Sequence, residues 1–234
     1  MSNNAIGGLP GVGNTRTHTP RTVRRNADGL RYVVGHSIIG DCRDPGNTGD
    51  INVLRPGLLM GRESAATKKF LPSIIGVSTA AIIATATEIV VSAAQATEIV
   101  RRNGATGNVV ITGPEVIDTA PVNQETLAYS AINTTTGAIT IAATTYAYVE
   151  GSSVGVDDGS ADPVALVDDN DFIKVTDADE NSQDQNFPRP LIGGYLDSDQ
   201  IIDLPADVVM KADVVSKLNA SGQGDFLFSH LVEE

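Results

Sequence analysis

Hydrophobic and polar positions divide the 234-residue chain into stretches of different texture, and the clearest pattern begins near residue 87. Thr87-Glu88-Ile89-Val90-Val91 is rich in β-branched residues and predicts a strand. It runs into Ser92-Ala93-Ala94-Gln95, a capping box in which Ser92 caps the first turn of a helix and Gln95 reaches back. Ala93, Ala96, Ile99 and Val100 share one helical face, which leaves Glu98, Arg101 and Arg102 facing water. Asn103-Gly104 stops the helix behind two cations that match its dipole, so the spacing predicts a helix over 92–103. Strands follow at 108–112, 125–132 and 138–143, the last two joined by the turn Thr134-Thr135-Thr136-Gly137. The pentapeptide Ala-Thr-Glu-Ile-Val occurs at 86–90 and again at 96–100. The first copy reads as strand and the second as helix, because caps and context override local identity.

Shorter runs flank this unit. Leu58-Leu59-Met60-Gly61-Arg62 and the stretch 68–76 read as two strands closing a hairpin around 64–67. Beyond 150 the chain turns often, with a strand within 151–163, strands at 172–175 and 191–196, an open polar loop over 178–187, and a closing strand at 224–228. The spacing of Val208, Val209, Val214, Val215 and Leu218 suits a short helix or a strand. Residues 1–50 have neither period: Tyr32-Val33-Val34 offers one strand and Ile38-Ile39 a plug for a pocket, among glycine, proline and arginine. Together these readings predict a mainly β protein with a small inserted α+β subdomain. An extended arm covers 1–50, and a β-sandwich or barrel-like body covers 51–77 plus 151–234. The inserted unit covers 78–150, with one helix and about four strands.

Composition sharpens this. Trp is absent and aromatic residues make up 4%, so Val, Ile, Leu and Ala must fill the core. No run of eighteen apolar residues exists, so no membrane-spanning helix is expected. Met1-Ser2-Asn3-Asn4 lacks the basic-then-apolar order of a signal peptide. The one cysteine, Cys42, excludes an internal disulfide framework. Charge is distributed unevenly. Residues 1–70 hold ten Lys/Arg against five Asp/Glu, a net of +5, and residues 71–234 hold six against twenty-four, a net of −18.

Candidate chemistry is sparse. Gly7-Gly8 and Gly11-Val12-Gly13 lack the preceding strand and following helix that a phosphate loop requires. His36, Asp41 and Cys42 offer a base, an orienting carboxylate and a nucleophile, but nothing local brings them together. Asp168, Asp169, Asp171, Asp177 and Asp179 offer hard oxygens to calcium, yet they lack the glycine and the bidentate glutamate of a calcium loop. Glycoside hydrolysis would need an aromatic platform beside paired carboxylates, and the sequence displays none. No enzyme, cofactor or resident metal is therefore expected. Arg16, Arg21, Arg24, Arg25 and Arg31 give the arm its charge. No aromatics interleave with them and the body would repel a polyanion, so the arm suits an acidic protein surface better than nucleic acid.

Three stretches together resemble a family, the head decoration (capsid cement) proteins of tailed bacteriophages. The first is 54–62 followed by Lys69-Phe70-Leu71-Pro72-Ser73-Ile74-Ile75-Gly76. The second runs from Val91-Ser92-Ala93-Ala94-Gln95-Ala96 through Arg101-Arg102-Asn103-Gly104-Ala105-Thr106-Gly107 to Ile111-Thr112-Gly113-Pro114. The third joins Glu150-Gly151-Ser152, Asp158-Gly159-Ser160, Val175-Thr176-Asp177, Ile192-Gly193-Gly194 and Phe226. They cover most of 51–230, and their order carries the likeness. The resemblance implies a β-rich virion protein on the outer surface of the capsid, commonly a homotrimer, with an arm laid on the shell. Its partners would be the major capsid protein and copies of itself, with neither nucleic acid nor membrane. The 78–150 unit looks like an insertion relative to the shortest members. A tail or fibre component of the same virus would share the composition, and a calcium-dependent glycan-binding module is the reading outside virion structure.

Overall fold

Alternation builds the longest ladder in the protein. The computed structural model describes residues 30–32, 35–40, 42–47, 49–168, 173–174, 185–187, 190–197, 200–202, 204, 206–220 and 225–228. Strand β8 (Gly107–Pro114) pairs antiparallel with β9 (Val122–Ile132) along eight residues. In β9 Leu127 and Tyr129 are buried while Thr126, Ala128 and Ser130 are exposed, the period of two that one wet face demands. β10 (Ala138–Ile141) folds back on β9 and is bordered by β7 (Glu88–Val90). On the other side of β8 lie β11 (Ser153–Val156) and then β6 (Gly76–Val77). The resulting six-stranded sheet runs β6-β11-β8-β9-β10-β7. Helix α1 (Ala93–Asn103) begins at the expected capping box, with Ser92 accepting from the Gln95 amide and Gln95 accepting from the Ser92 amide. Its Ala96 and Ile99 are fully buried in one core with Val109, Ile111, Val154 and Val156 of the sheet.

The six-stranded sheet is the second, and the eight-stranded sheet, the first because it holds β1, is buried on both faces. Its main path is β1 (Arg31–Tyr32), β15 (Leu191–Leu196), β12 (Ala165–Leu166), β4 (Leu59–Arg62), β5 (Phe70–Pro72), β2 (His36–Ile38) and β14 (Gln185–Phe187), with β16 (Asp225–Phe228) also beside β15. Neighbouring residues alternate between two cores. Met60, Ala165 and Ile192 join Phe70, Phe187, Leu54 and Ile38 on one side. Leu59, Leu166 and Leu191 join Leu196, Phe226, Val214 and Leu218 on the other. Helix α2 (Val208–Ala220) supplies Val214 and Leu218 to this second side, buries Met210 as well, and connects β15 to β16, which pair in parallel. β3 (Val53–Leu54) and β13 (Ile173–Lys174) form a separate two-stranded ladder.

The protein is therefore mainly β, with two large sheets, a two-stranded ladder and two helices among the described residues, a sandwich- or barrel-like body as the sequence predicts. Four details differ from expectation. Gln185–Phe187 forms β14 within the 178–187 stretch expected as an open polar loop, because it pairs with the distant β2. The second sheet is wider than 78–150, because β6 and β11 flank β8 and a strand expected in the body sits inside it. Part of the stretch expected as an arm belongs to the first sheet, since Ile38 is fully buried and pairs with Phe70, and Cys42 is 2% exposed. Its apolar residues are few, but their partners lie far along the chain and supply the burial that the local composition does not. Glu98 and Arg102, expected in water, are enclosed, for reasons given below.

Candidate functional site at the root of the basic segment

The basic N-terminal segment enters the body at β1. Arg31 pairs with Gly193 and Tyr32 with Leu191, so one short backbone ladder holds the point of entry. Leu30 and Tyr32 pack against the core of Leu191, Leu196 and Phe226. The Tyr32 hydroxyl donates to Asp168 Oδ2 at 3.1 Å, and Asp168 is fully buried. A buried carboxylate needs such partners, because leaving its charge unmatched would cost several kcal/mol on the order of its desolvation. Asp168 thus belongs to the anchorage of the root. Asp169, Asp171, Asp177 and Asp179 lie outside the described residues. Among the described residues no group of three or more His, Cys, Asp or Glu could hold a metal ion. Arg31 is exposed beside the anchor, and Arg16, Arg21, Arg24 and Arg25 lie outside the described residues.

Next to the root, the 42–55 turn is organised by Asp44. Arg55 grips its carboxylate with Nε and Nη2 at 2.6 and 2.8 Å, and the Gly46 amide donates to it at 3.2 Å. Asp44 is fully buried, so this two-pronged pair compensates its desolvation. His36 lies edge-on to Phe70, 3.4 Å from Arg62 Nη2, while the Arg62 guanidinium covers the Phe70 ring at 4.7 Å. Burial, and secondarily the Arg62 charge, holds the His36 imidazole below its ordinary range. The sign follows: folding favours the neutral ring, so this contribution is complete above about pH 6.5 and is lost as pH falls through the lower folded value. His36→Gln should therefore reduce the loss of urea midpoint between about pH 7.5 and 5.5. An equal loss in both proteins would assign the pH dependence elsewhere.

Of His36, Asp41 and Cys42, the two described residues lie in different surroundings. His36 faces Arg62 and Phe70, whereas Cys42 lines a cavity of about 80 Å³ with Ile39, Leu71, Arg101, Arg102 and Asp158. Asp41 lies outside the described residues.

That small cavity marks the junction between the sheets, and Arg102 is its centre. Arg102 Nη1 donates to the Pro72 carbonyl at 2.8 Å, and Nη2 donates to Asp158 Oδ2 at 2.5 Å and Ser160 Oγ at 2.6 Å. Its side chain is 5% exposed. One guanidinium therefore joins the end of α1, the strand β5 and the turn after β11. Glu98 is buried under Arg101, whose Nε and Nη2 hold its two oxygens at 2.7 and 2.6 Å. No helix of the described residues is long and apolar enough to cross a membrane. Searched against protein-family models, curated proteins and solved structures, the chain has no match in any of the three.

Proposed function

We propose that this protein is a virion structural protein that binds the outer surface of a tailed-phage capsid and stabilises it as a decoration protein. The major capsid protein would be its partner, together with other copies of the chain in a homotrimer. The observation that carries the reading is electrostatic and topological. A leader with Arg16, Arg21, Arg24 and Arg25 joins, at the β1 root, a body whose residues from 71 onward carry a net of −18. Opposite charges on one chain suit a lattice of protein subunits, where the leader meets acidic surface and the body faces solvent. An extended segment rooted on a strand is also suited to strand addition on a neighbouring surface. At the root Tyr32 bonds to Asp168, and at the junction Arg102 bonds to Asp158, Ser160 and the Pro72 carbonyl, which suits a structural role.

The test is a truncation placed by the root. Deleting residues 1–29 removes the four leading arginines and spares Leu30 and Tyr32. The truncated protein should keep its melting temperature but no longer co-sediment with undecorated heads. The full chain should co-sediment, less so as ionic strength rises. Saturation of heads by the truncated protein with unchanged affinity would overturn the reading.

A further inference from the structure

A second cavity, of about 360 Å³, opens at the end of the second sheet, between the 115–121 connection and the stretch that carries Tyr146. Glu115, Val116, Thr119, Pro121, Asn123 and Tyr146 line it. Its walls are fastened on both sides. The Asp118 amide donates to Asp207 Oδ2 at 2.6 Å, and the Val208 amide donates to Asp118 Oδ1 at 2.7 Å, tying the connection to the start of α2. Opposite, the Thr145 amide donates to Glu125 Oε2 at 3.0 Å, the Tyr148 hydroxyl donates to Glu125 Oε1 at 2.8 Å, and the Val149 amide donates to the Pro114 carbonyl at 3.0 Å. A concavity of this size, held before any ligand arrives, is the usual form of a small-molecule site.

Its chemistry narrows the ligand. Val116 and Tyr146 are 61% and 38% exposed and give the cavity an apolar and an aromatic wall. Hydrogen-bonding capacity there is largely unused. Glu115 receives only a long contact of 3.5 Å from Asn123 Nδ2, and the Tyr146 hydroxyl makes no hydrogen bond among the described residues. Among the described residues no Lys, Arg or His lines the cavity, and Glu115 would repel an anion. A carboxylate accepts from hydroxyls, an amide both donates and accepts, and an aromatic face receives C–H groups. A neutral ring with hydroxyls on its edge and C–H bonds on its face satisfies all three.

We propose that this cavity binds a neutral saccharide, with one pyranose ring seated on Tyr146 and Pro121 and its hydroxyls bonded to Glu115 and Asn123. The sequence displays no sugar platform because Tyr146 and Glu115 are thirty-one positions apart and meet only when 142–148 folds beside the β8–β9 connection. The site is separate from the root, so it stands independently of the capsid reading. Saturation-transfer NMR on the full chain tests it, with methyl α-glucopyranoside, methyl α-galactopyranoside and methyl α-mannopyranoside at about 10 mM each, enough to occupy a site with a Kd of about 1 mM. Transfer to the ring protons of at least one is expected. Glu115→Gln and Tyr146→Ala, both at exposed positions, should each weaken it about tenfold with the melting temperature unchanged. The proposal is overturned by an absence of transfer from all three, or by transfer that both variants preserve. Transfer to N-acetylarginine amide alone would likewise overturn it, assigning the cavity to a cation.

Discussion

Arg102→Ala should lower the unfolding free energy by about 3–5 kcal/mol, the range for removing one partner of an enclosed ion pair. Three acceptors lose their donor at once: the Pro72 carbonyl, Asp158 Oδ2 and Ser160 Oγ. They belong to two separate elements, β5 and the turn after β11, so no local rearrangement restores all three. Asp158 is 29% exposed at its side chain and recovers part of its solvation from water, which places the expected loss toward the lower end. Arg102→Met separates the contributions, because it keeps the apolar stem and removes only the guanidinium. Urea unfolding followed by circular dichroism supplies the numbers, and a cycle with Asp158→Ala should return a coupling of about 1–3 kcal/mol. A loss below about 1 kcal/mol would mean that the junction holds the sheets by apolar packing alone.

Gly61→Ala should be nearly as damaging, at about 3 kcal/mol, although it adds a single methyl group. A Cβ at Gly61 would stand 1.9 Å from the Ser160 carbonyl oxygen, 2.6 Å from its carbon and 2.7 Å from the Ser160 Cα. All three are backbone atoms, so no side chain can swing away. Strand β4 is also pinned between β5, through Gly61 and Leu71, and β12, through Met60 and Ala165. Either the strand or the turn after β11 must move, and both movements disturb the Arg102 contacts. For a chain of this length the melting temperature should drop by about 6–12 °C. Gly151→Ala is the control, for Gly151 has φ +86° and nothing within 4 Å of the added carbon. It should cost only the backbone strain of about 1 kcal/mol. Equal drops for the two variants would show that the approach at Gly61 relaxes freely.

The paired copies of Ala-Thr-Glu-Ile-Val show what local reading can reach. The first ends in β7 and the second lies within α1, as the sequence predicts. The signal sits just outside the pentapeptide, in the Ser92 and Gln95 side chains that satisfy the first free amides of a helix. The hairpins β4–β5 and β9–β10 were legible for the same reason, since their turns lie between the strands they join. Arg102 was not legible. It lies three positions after Ile99, at the edge of the face that Ala96 and Ile99 bury, and in an isolated helix that edge meets water. The turn holding Asp158 and Ser160 covers it from fifty-six and fifty-eight residues away. The 206–218 stretch was equally open to helix and strand on spacing alone. Burial of Met210, Val214 and Leu218 along one side accompanies the helix it forms.

The sequence by itself determined the mainly β character, the start and end of α1, the nearby hairpins and the charge contrast between leader and body. Each depends on residues a few positions apart, through caps, turn geometry, side-chain period or simple addition of charge. Only the tertiary structure decided that β11 enters the second sheet, that residues near Ile38 join the first, that Arg102 spans the junction, and that Glu115 and Tyr146 share a cavity. Those outcomes depend on contacts between distant segments. A backbone ladder bonds equally well to many strands, so the partner is chosen by which arrangement buries both faces and pairs the enclosed polar groups.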